Sequence, residues 1–226
     1  TVTQQQLLQD VKAQIILGNT YHLYLRPGLN VLEAAGGLHK FIGWDHPILT
    51  DSGGYQVYSL SEIRKIKEEG AEFRSHIDGS KHFFSPEYVM DIQRTIGADI
   101  IMAFDECTPE SGGYDAAVKA MDRTHRWLME SKAVHDASPN SAYGYPQALF
   151  GIIQGGRYKH FREESARFVA SLDLEGIAVG GESIGYNMPQ TIETIDWIRD
   201  SLSENKVRYS MGVGLSPQDL LDVVAA

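Results

Sequence analysis

Six apolar runs of four to six residues recur along the chain, separated by longer stretches of helical periodicity. They are QIIL (14–17), PILT (47–50), DIIMAF (99–104), ALFGII (148–153), GIAV (176–179) and RYSMGV (208–213). The runs are continuous rather than alternating, the pattern of parallel strands buried on both faces. Between them the spacing predicts helices. Residues 85–97 open with Ser85 as cap and Pro86 at the first helical position, and close on Gly97. Residues 114–136 predict a long helix with Ala117, Met121, Trp127 and Met129 on or near one face. Residues 189–202 set Ile192, Ile195 and Ile198 at helical spacing, and Ser216, Pro217 and Asp219 signal one more helix start. One segment breaks the alternation. AEFRSHIDGSKHFFS (71–85) reads as a β-hairpin inserted after the second strand, turning at Asp78, Gly79 and Ser80. His76, Asp78 and His82 there suggest metal ligands; polar residues on a solvated hairpin are the favoured reading.

Repeated strand–helix units with right-handed crossovers give a doubly wound sheet or a (β/α)8 barrel. A doubly wound nucleotide binder carries a Gly-rich turn after its first strand, and here ILGNTYHL stands in that place with no G-x-G-x-x-G. The expectation is an α/β chain of TIM-type (β/α)8 barrel topology. Six strands leave that barrel incomplete, as a single partial catalytic domain over residues 1–226.

Composition narrows the function classes. With 226 residues, 42% hydrophobic, the chain can bury one sizeable core. A net charge of -10 argues against broad nucleic-acid binding through the mean field and leaves room only for a local basic strip. Cys107 is the single cysteine, so no internal disulfide forms, and a cytoplasmic protein is expected. No run of 18 apolar residues predicts a membrane span, and TVTQQQLLQD is not a secretory signal.

In parallel α/β folds ligands bind where the strands end. Asp51 follows PILT, and Asp105 and Glu106 follow the third run. Gln154, Gly155 and Gly156 follow the fourth, Gly180 and Gly181 the fifth, and Gly212-Val213-Gly214 close the sixth. A lone Asp at a strand end often only caps the next helix. Two carboxylates and an amide among three glycine clusters point instead to a shared ligand site. A carboxylate accepts from two adjacent N–H groups, as on the N1/N2 edge of guanine. A glutamine amide and a free backbone N–H donate to the neighbouring carbonyl oxygen. Tyr55 is placed to stack on a flat ring, worth about 1–3 kcal/mol per base. Ser52 in TDSGGY raises a second reading, a serine hydrolase. It would need His and Asp in triad geometry, and Thr50 and Tyr55 stand where the protease motif has Gly and Pro. A third reading, a barrel enzyme binding phosphate on the Gly212–Gly214 turn, predicts sugar-phosphate affinity and no base affinity.

The strings ILGNTYHLYLRPG, GGLHKFIGWDHPILTDSGGYQV, SHIDGSKHFFSPE, MAFDECTP, LFGIIQGG, IAVGGESIG and YSMGVG occur in the order found in one family. Across essentially its whole length the chain resembles tRNA-guanine transglycosylases, the queuine tRNA-ribosyltransferase family, of bacterial type. The resemblance implies an irregular (β/α)8 barrel that exchanges guanine at the wobble position of tRNA for a 7-deazaguanine, preQ1 or queuine. It implies Asp51 as proton acceptor and base binding by Asp51, Ser52, Gly53, Gly54, Tyr55, Asp105, Gln154, Gly180 and Gly181. It implies RNA contact along Gly212, Val213, Gly214, Leu215, Ser216, Pro217 and Gln218. It also implies a homodimer with a C-terminal Zn(2+) site in full-length members. The family's nucleophilic aspartate and the Cys/His zinc ligands that follow it are not in this sequence, nor is the first barrel strand. An internal fragment, inactive by itself and binding no metal, is therefore expected. In GGESIGYN, Tyr186 stands where bacterial relatives often have a Glu, and Glu182 lies earlier in the loop. Cys107 is the bacterial-type residue and leans the base preference towards preQ1. A non-catalytic partner subunit of a heterodimeric transglycosylase would have lost the carboxylates, and Asp51 and Asp105 are both present.

Overall fold

The computed structural model describes residues 2–60, 64–107, 110–181 and 183–226. The strands are β1 Ile16–Asn19, β2 Ile48–Asp51, β3 Arg64–Lys67, β4 Gly70–Arg74, β5 Lys81–Phe84, β6 Ile100–Met102, β7 Ala148–Ile153, β8 Gly176–Val179 and β9 Val207–Ser210. The α-helices are α1 Gln4–Gln6, α2 Thr20–Leu23, α3 Leu29–Ala35, α4 Leu38–Ile42, α5 Gly54–Leu60, α6 Pro86–Ile96, α7 Gly113–Ala137, α8 Lys159–Ser171, α9 Met188–Ile198 and α10 Pro217–Ala225. The sheet order is β1-β2-β6-β7-β8-β9, with an additional antiparallel sheet β3-β4-β5. This is the α/β class expected, the strand topology of an incomplete TIM-type barrel with an antiparallel insertion. The chain forms two compact units, Thr1–Phe104 with Glu130–Leu149, and Asp105–Met129 with Phe150–Ala226.

In the first unit β1 and β2 run parallel with Asn19 opposite Asp51, and β2 pairs with β6 through Leu49 and Thr50. A fully buried amide ties these strands to the helix that follows the insertion. Gln93, on α6, accepts from Thr50 Oγ1 at 3.2 Å and from the Met102 N–H at 3.1 Å, and its Nε2 donates to the Met102 carbonyl at 2.8 Å. Gln147 Nε2 donates in turn to the carbonyls of Gln93 and Ala98. Helix α6 starts as its sequence predicts, with Ser85 Oγ accepting from the Tyr88 N–H and Pro86 in the first turn. At its other end Gly97 takes a left-handed conformation. Two phenols from the loop before β7 cap the last carbonyls: Tyr143 Oη donates to Thr95 O at 2.7 Å and Tyr145 Oη to Gly97 O at 2.6 Å.

The expected hairpin is present as β4 and β5, and a third strand, β3, extends it into a three-stranded sheet. β4 and β5 pair antiparallel with Arg74 opposite Lys81, and the expected Asp78-Gly79-Ser80 turn lies between them. The charged run Arg64–Lys67 adds β3 to its edge. One face is core: Ala71, Phe73 and Phe84 are buried with Tyr21. Its polar residues hold one another. Asp78 Oδ1 accepts from both Ser80 N–H and Ser80 Oγ, bonds that with Ser75 hold its carboxyl down at about 2. His82 meets Ser80 Oγ through Nε2 and Tyr24 Oη through Nδ1, while His76 Nδ1 meets Tyr21 Oη. Burial, with the neighbouring Tyr88 adding to it, pushes the Tyr24 phenol up to about 12.

In the second unit β7, β8 and β9 are parallel, with Ile153, Val179 and Ser210 as the last residues of the ladder. Helix α7 is longer than its pattern predicts. It buries Ala117, Met121 and Trp127, while Met129 is 47% exposed and belongs to the outer face. On α9, Ile198 is buried and Ile192 and Ile195 are half-buried beside fully covered Thr191 and Thr194. Among the described residues no helix is long and apolar enough to cross a membrane.

The Gln93 amide serves three backbone and side-chain groups that have no water to turn to. Gln93→Leu is expected to cost about 2–5 kcal/mol, because each orphaned buried partner carries a desolvation penalty of about 1–3 kcal/mol. A urea melt checks this; a midpoint unchanged from the parent contradicts it.

Candidate active site

The first unit presents the TDSGGY stretch at the end of β2. Asp51 is the last residue of that strand, half-buried, and Ser52, Gly53 and Gly54 behind it are buried. The Ser52 hydroxyl accepts from the Gly54 N–H at 3.2 Å, so it closes the turn into α5. Gly53 has φ +91°, and a Cβ there would lie 3.0 Å from the Tyr21 backbone nitrogen. A side chain there would be both strained and tightly crowded, so the turn favours glycine. Tyr55 sits half-buried in the first turn of α5, its ring centroid 6.1 Å from that of Tyr58. The Arg64 guanidinium covers Tyr58 at 4.4 Å. This helix is absent from the sequence reading because GYQVYSL is too short for helical periodicity to show.

The second unit brings together Asp105, Gln154, Gly180 and Gly181. Asp105 is 6% exposed and Gln154 is 2% exposed, and Gln154 Nε2 donates to Asp105 Oδ2 at 2.8 Å. Gln154 is fixed from behind, its N–H donating to Ser165 Oγ at 3.2 Å. That hydroxyl also meets His125 Nε2 at 3.0 Å, and the His125 ring stacks on Phe168 at 4.1 Å. Next to Asp105, the Glu106 N–H donates to Thr124 Oγ1 at 3.1 Å and its carboxylate pairs with Arg123, so Glu106 is moored to α7 at two points. Gly180 comes so close to this pair that a Cβ on it would meet Ile152 Cγ2 at 2.8 Å and Gln154 Nε2 at 3.2 Å.

The residue that organises this rim is one that sequence reading passed over. Arg162, on α8, is 1% exposed. Its Nε donates to Gly156 O at 2.7 Å, and its Nη1 to Ile153 O at 3.1 Å and Gly180 O at 2.6 Å. One planar fork thus holds the ends of β7 and β8 and the loop after Gln154. Gly181, with φ +136°, follows directly: a Cβ there would lie 2.5 Å from Arg162 Nη2. In the sequence Arg162 is one cation inside a charged helical segment, with no local signal of burial.

The proposed RNA-contacting residues span the turn after β9, Gly212 to Ser216, and the first two residues of α10, Pro217 and Gln218. Gly212, Gly214, Leu215, Ser216, Pro217 and Gln218 are exposed and Val213 is half-buried. Ser216 and Asp219 form a reciprocal capping box, with Asp219 Oδ2 accepting from the Ser216 N–H at 2.7 Å. The strand itself ends at Ser210, three residues earlier than its apolar run suggests, because Met211 and Gly212 turn away. Glu182 lies outside the described residues. Among the described residues no group of three or more His, Cys, Asp and Glu is arranged to hold a metal ion.

A family model described as Queuine tRNA-ribosyltransferase matches residues 1–226. Curated proteins named queuine tRNA-ribosyltransferase from Caldanaerobacter subterraneus subsp. tengcongensis and Halothermothrix orenii are 53% and 51% identical over 217 residues, 96% of this chain and 56% of theirs. One from Acinetobacter baylyi is 49% identical over 217 residues, covering 55% of its own length. The chain spans about half the length of the curated relatives it matches.

Two predictions test the rim. Gly181→Ala is expected to cost about 2 kcal/mol or more through strain and collision. The cost should shrink by about 1 kcal/mol in an Arg162→Ala background, since the two positions compete for one space. Equal losses in both backgrounds, read from denaturant midpoints, would rule out the collision. Burial holds the His125 imidazole below its ordinary value of 6.5. The folded state thus favours the neutral ring, and the unfolded chain takes up the proton first. Stability present above about pH 6.5 should decline below it. Melting temperatures from about pH 7.5 to about pH 5 should fall more steeply for the parent than for His125→Phe; parallel curves would refute the assignment.

Proposed function

The chain belongs to the queuine tRNA-ribosyltransferase family, and we propose that the protein exchanges guanine at wobble position 34 of tRNAs with GUN anticodons for a 7-deazaguanine, preQ1 or queuine, in queuosine biosynthesis. The observation that carries this reading is the buried Asp105–Gln154 pair, held at 2.8 Å against a rim of glycines. Such a pair suits a guanine edge. The Asp105 carboxylate accepts from the N1–H and N2–H of the base. The Gln154 amide and the Gly181 N–H donate to O6, with Gly180 leaving room for the ring. Tyr55 stacks on the base, and Ser52, Gly53 and Gly54 give the backbone its close approach. A binding edge of this kind works only on a base already taken out of its stack.

The reaction follows two displacements at the ribose C1′. A carboxylate nucleophile attacks C1′ as the bond to guanine N9 breaks, leaving a covalent ribosyl ester. The deazaguanine then attacks C1′ through its ring nitrogen, the ester bond breaks, and configuration is retained overall. The incoming nitrogen loses a proton in this step, and Asp51 takes it. The exposed Gly212–Gln218 turn contacts the RNA backbone. The whole protein acts as a cytoplasmic homodimer, with tRNA and the free bases as its partners. A Zn(2+) ion belongs to the full-length family member. Among the described residues no group of three or more His, Cys, Asp and Glu is arranged to hold it.

Incubating the full-length gene product with tRNA and labelled guanine, then with preQ1 or queuine, tests the reading. Label should enter tRNA and be displaced by the deazaguanine. Asp105→Asn should lower exchange by about two to three orders of magnitude, the effect of losing one preorganised partner, with an unchanged melting temperature. Absence of label from tRNA overturns the function, and undiminished exchange by Asp105→Asn overturns the role of the pair.

A further inference from the structure

The loop that carries Gln154 does not end at its glycines. It continues through Arg157 and Tyr158 into the first turn of α8, where His160 and Phe161 follow. The first turn of α7 brings Tyr114 to the same place. The Tyr114 and His160 rings are stacked, 5.6 Å apart at 28°, and His160 Nε2 meets Tyr114 Oη at 3.3 Å. Tyr158 presents its edge to Tyr114 at 5.2 Å. Phe161 lies under Tyr114 at 4.8 Å and is anchored in a buried cluster with Ala117 and Met121. Arg157, exposed, carries its guanidinium 5.9 Å from the Tyr158 ring centroid.

Packing accounts for Phe161 and Tyr158, which cover the Ala117–Met121 cluster. It does not account for Tyr114, a large aromatic side chain 51% exposed, nor for an exposed His160 already stacked against it. Ordered rings facing water beside a cation are the chemistry that binds unstacked bases. We infer that Tyr114, Tyr158 and His160, with Arg157, form a stacking platform for an unpaired nucleotide of single-stranded RNA, bordering the loop that holds the exchanged base. The inference rests on the tRNA reading above and adds a subsite to it. Extracting one base from an anticodon loop strips its neighbour of a stacking partner. A preordered ring replaces that partner with little loss of side-chain freedom.

Local charge makes stacking the main contribution. Lys159 lies 3.7 Å from Glu163, and Asp115 adjoins Tyr114, so the cations near the platform are partly balanced. Counterion release through these residues is small, and the platform's share of binding should vary little with salt.

The test measures binding of an anticodon stem-loop RNA to the full-length protein by fluorescence anisotropy at several salt concentrations. Tyr114→Ala should raise Kd by about 5- to 140-fold, about 1–3 kcal/mol at 1.4 kcal/mol per factor of ten, with the slope of log Kd against log salt unchanged. Tyr114→Phe, which keeps the ring and loses the His160 bond, should restore binding. Photocrosslinking of 5-bromouridine-substituted stem-loop to the parent protein should map to Tyr114, Tyr158 or His160, and it needs no variant to fold. Parental binding with an undiminished Tyr114→Ala complex, or crosslinks confined to other residues, overturns the platform. Failure of the parent to bind the stem-loop overturns the tRNA reading, and the platform with it.

Discussion

A guanidinium buried to 1% exposure is the constraint on which the second unit depends. Removing a charge from water is costly unless its donors are met. Arg162 meets that demand with three backbone carbonyls drawn from the ends of two neighbouring strands and the loop between them. The geometry of the rim follows. Gly156, Ile153 and Gly180 must point carbonyls at one planar group, Gly181 must lack a side chain to clear it, and Gln154 is left facing Asp105. Gln154, Gly180 and Gly181 thus sit around a guanidinium that is itself out of sight. Ser165 and Thr124 do the same service at smaller scale, their hydroxyls accepting from the N–H groups of Gln154 and Glu106.

Where the physics is local, the sequence was a faithful guide. Strands buried on both faces announce themselves as apolar runs, and all six appear: β7 and β8 match their runs, β1 and β2 are shifted by one or two residues, and β6 and β9 are shorter. The hairpin turn at Asp78–Ser80 and the caps at Ser85 and Ser216 were equally legible, because each depends on residues within three positions. Strand ends gave Asp51, Asp105, Gln154, Gly180 and Gly181 as candidates, and Asp105, Gln154, Gly180 and Gly181 converge in one place. What was hidden is non-local. β3 is a charged edge strand that forms only because β4 offers it a ladder. Helices α2 to α5 are too short to show a period. Arg162 reads as surface charge until its partners arrive from loops 6 to 18 residues away.

The hydroxyl of Ser52 shows how a motif changes meaning with its surroundings. In TDSGGY it caps the Gly54 N–H, closing a turn that favours glycine. The same string therefore serves here as the turn that joins β2 to α5. Asp51 belongs to the ladder of β2, opposite Asn19, and is held in place by the sheet.

The phenols that finish α6 bear on how the chain is made. The carbonyls of Thr95 and Gly97 receive their donors from Tyr143 and Tyr145, 48 residues further along. Synthesis delivers a chain from its N-terminus, and units fold as they emerge. Helix α6 therefore leaves the ribosome with its Thr95 and Gly97 carbonyls met only by water until the tyrosine loop has been translated. Most of α7 is made in the interval and belongs to the other unit. The latch also brings Glu130–Leu149 back to the earlier part of the chain, so the first unit is finished only after the second has begun.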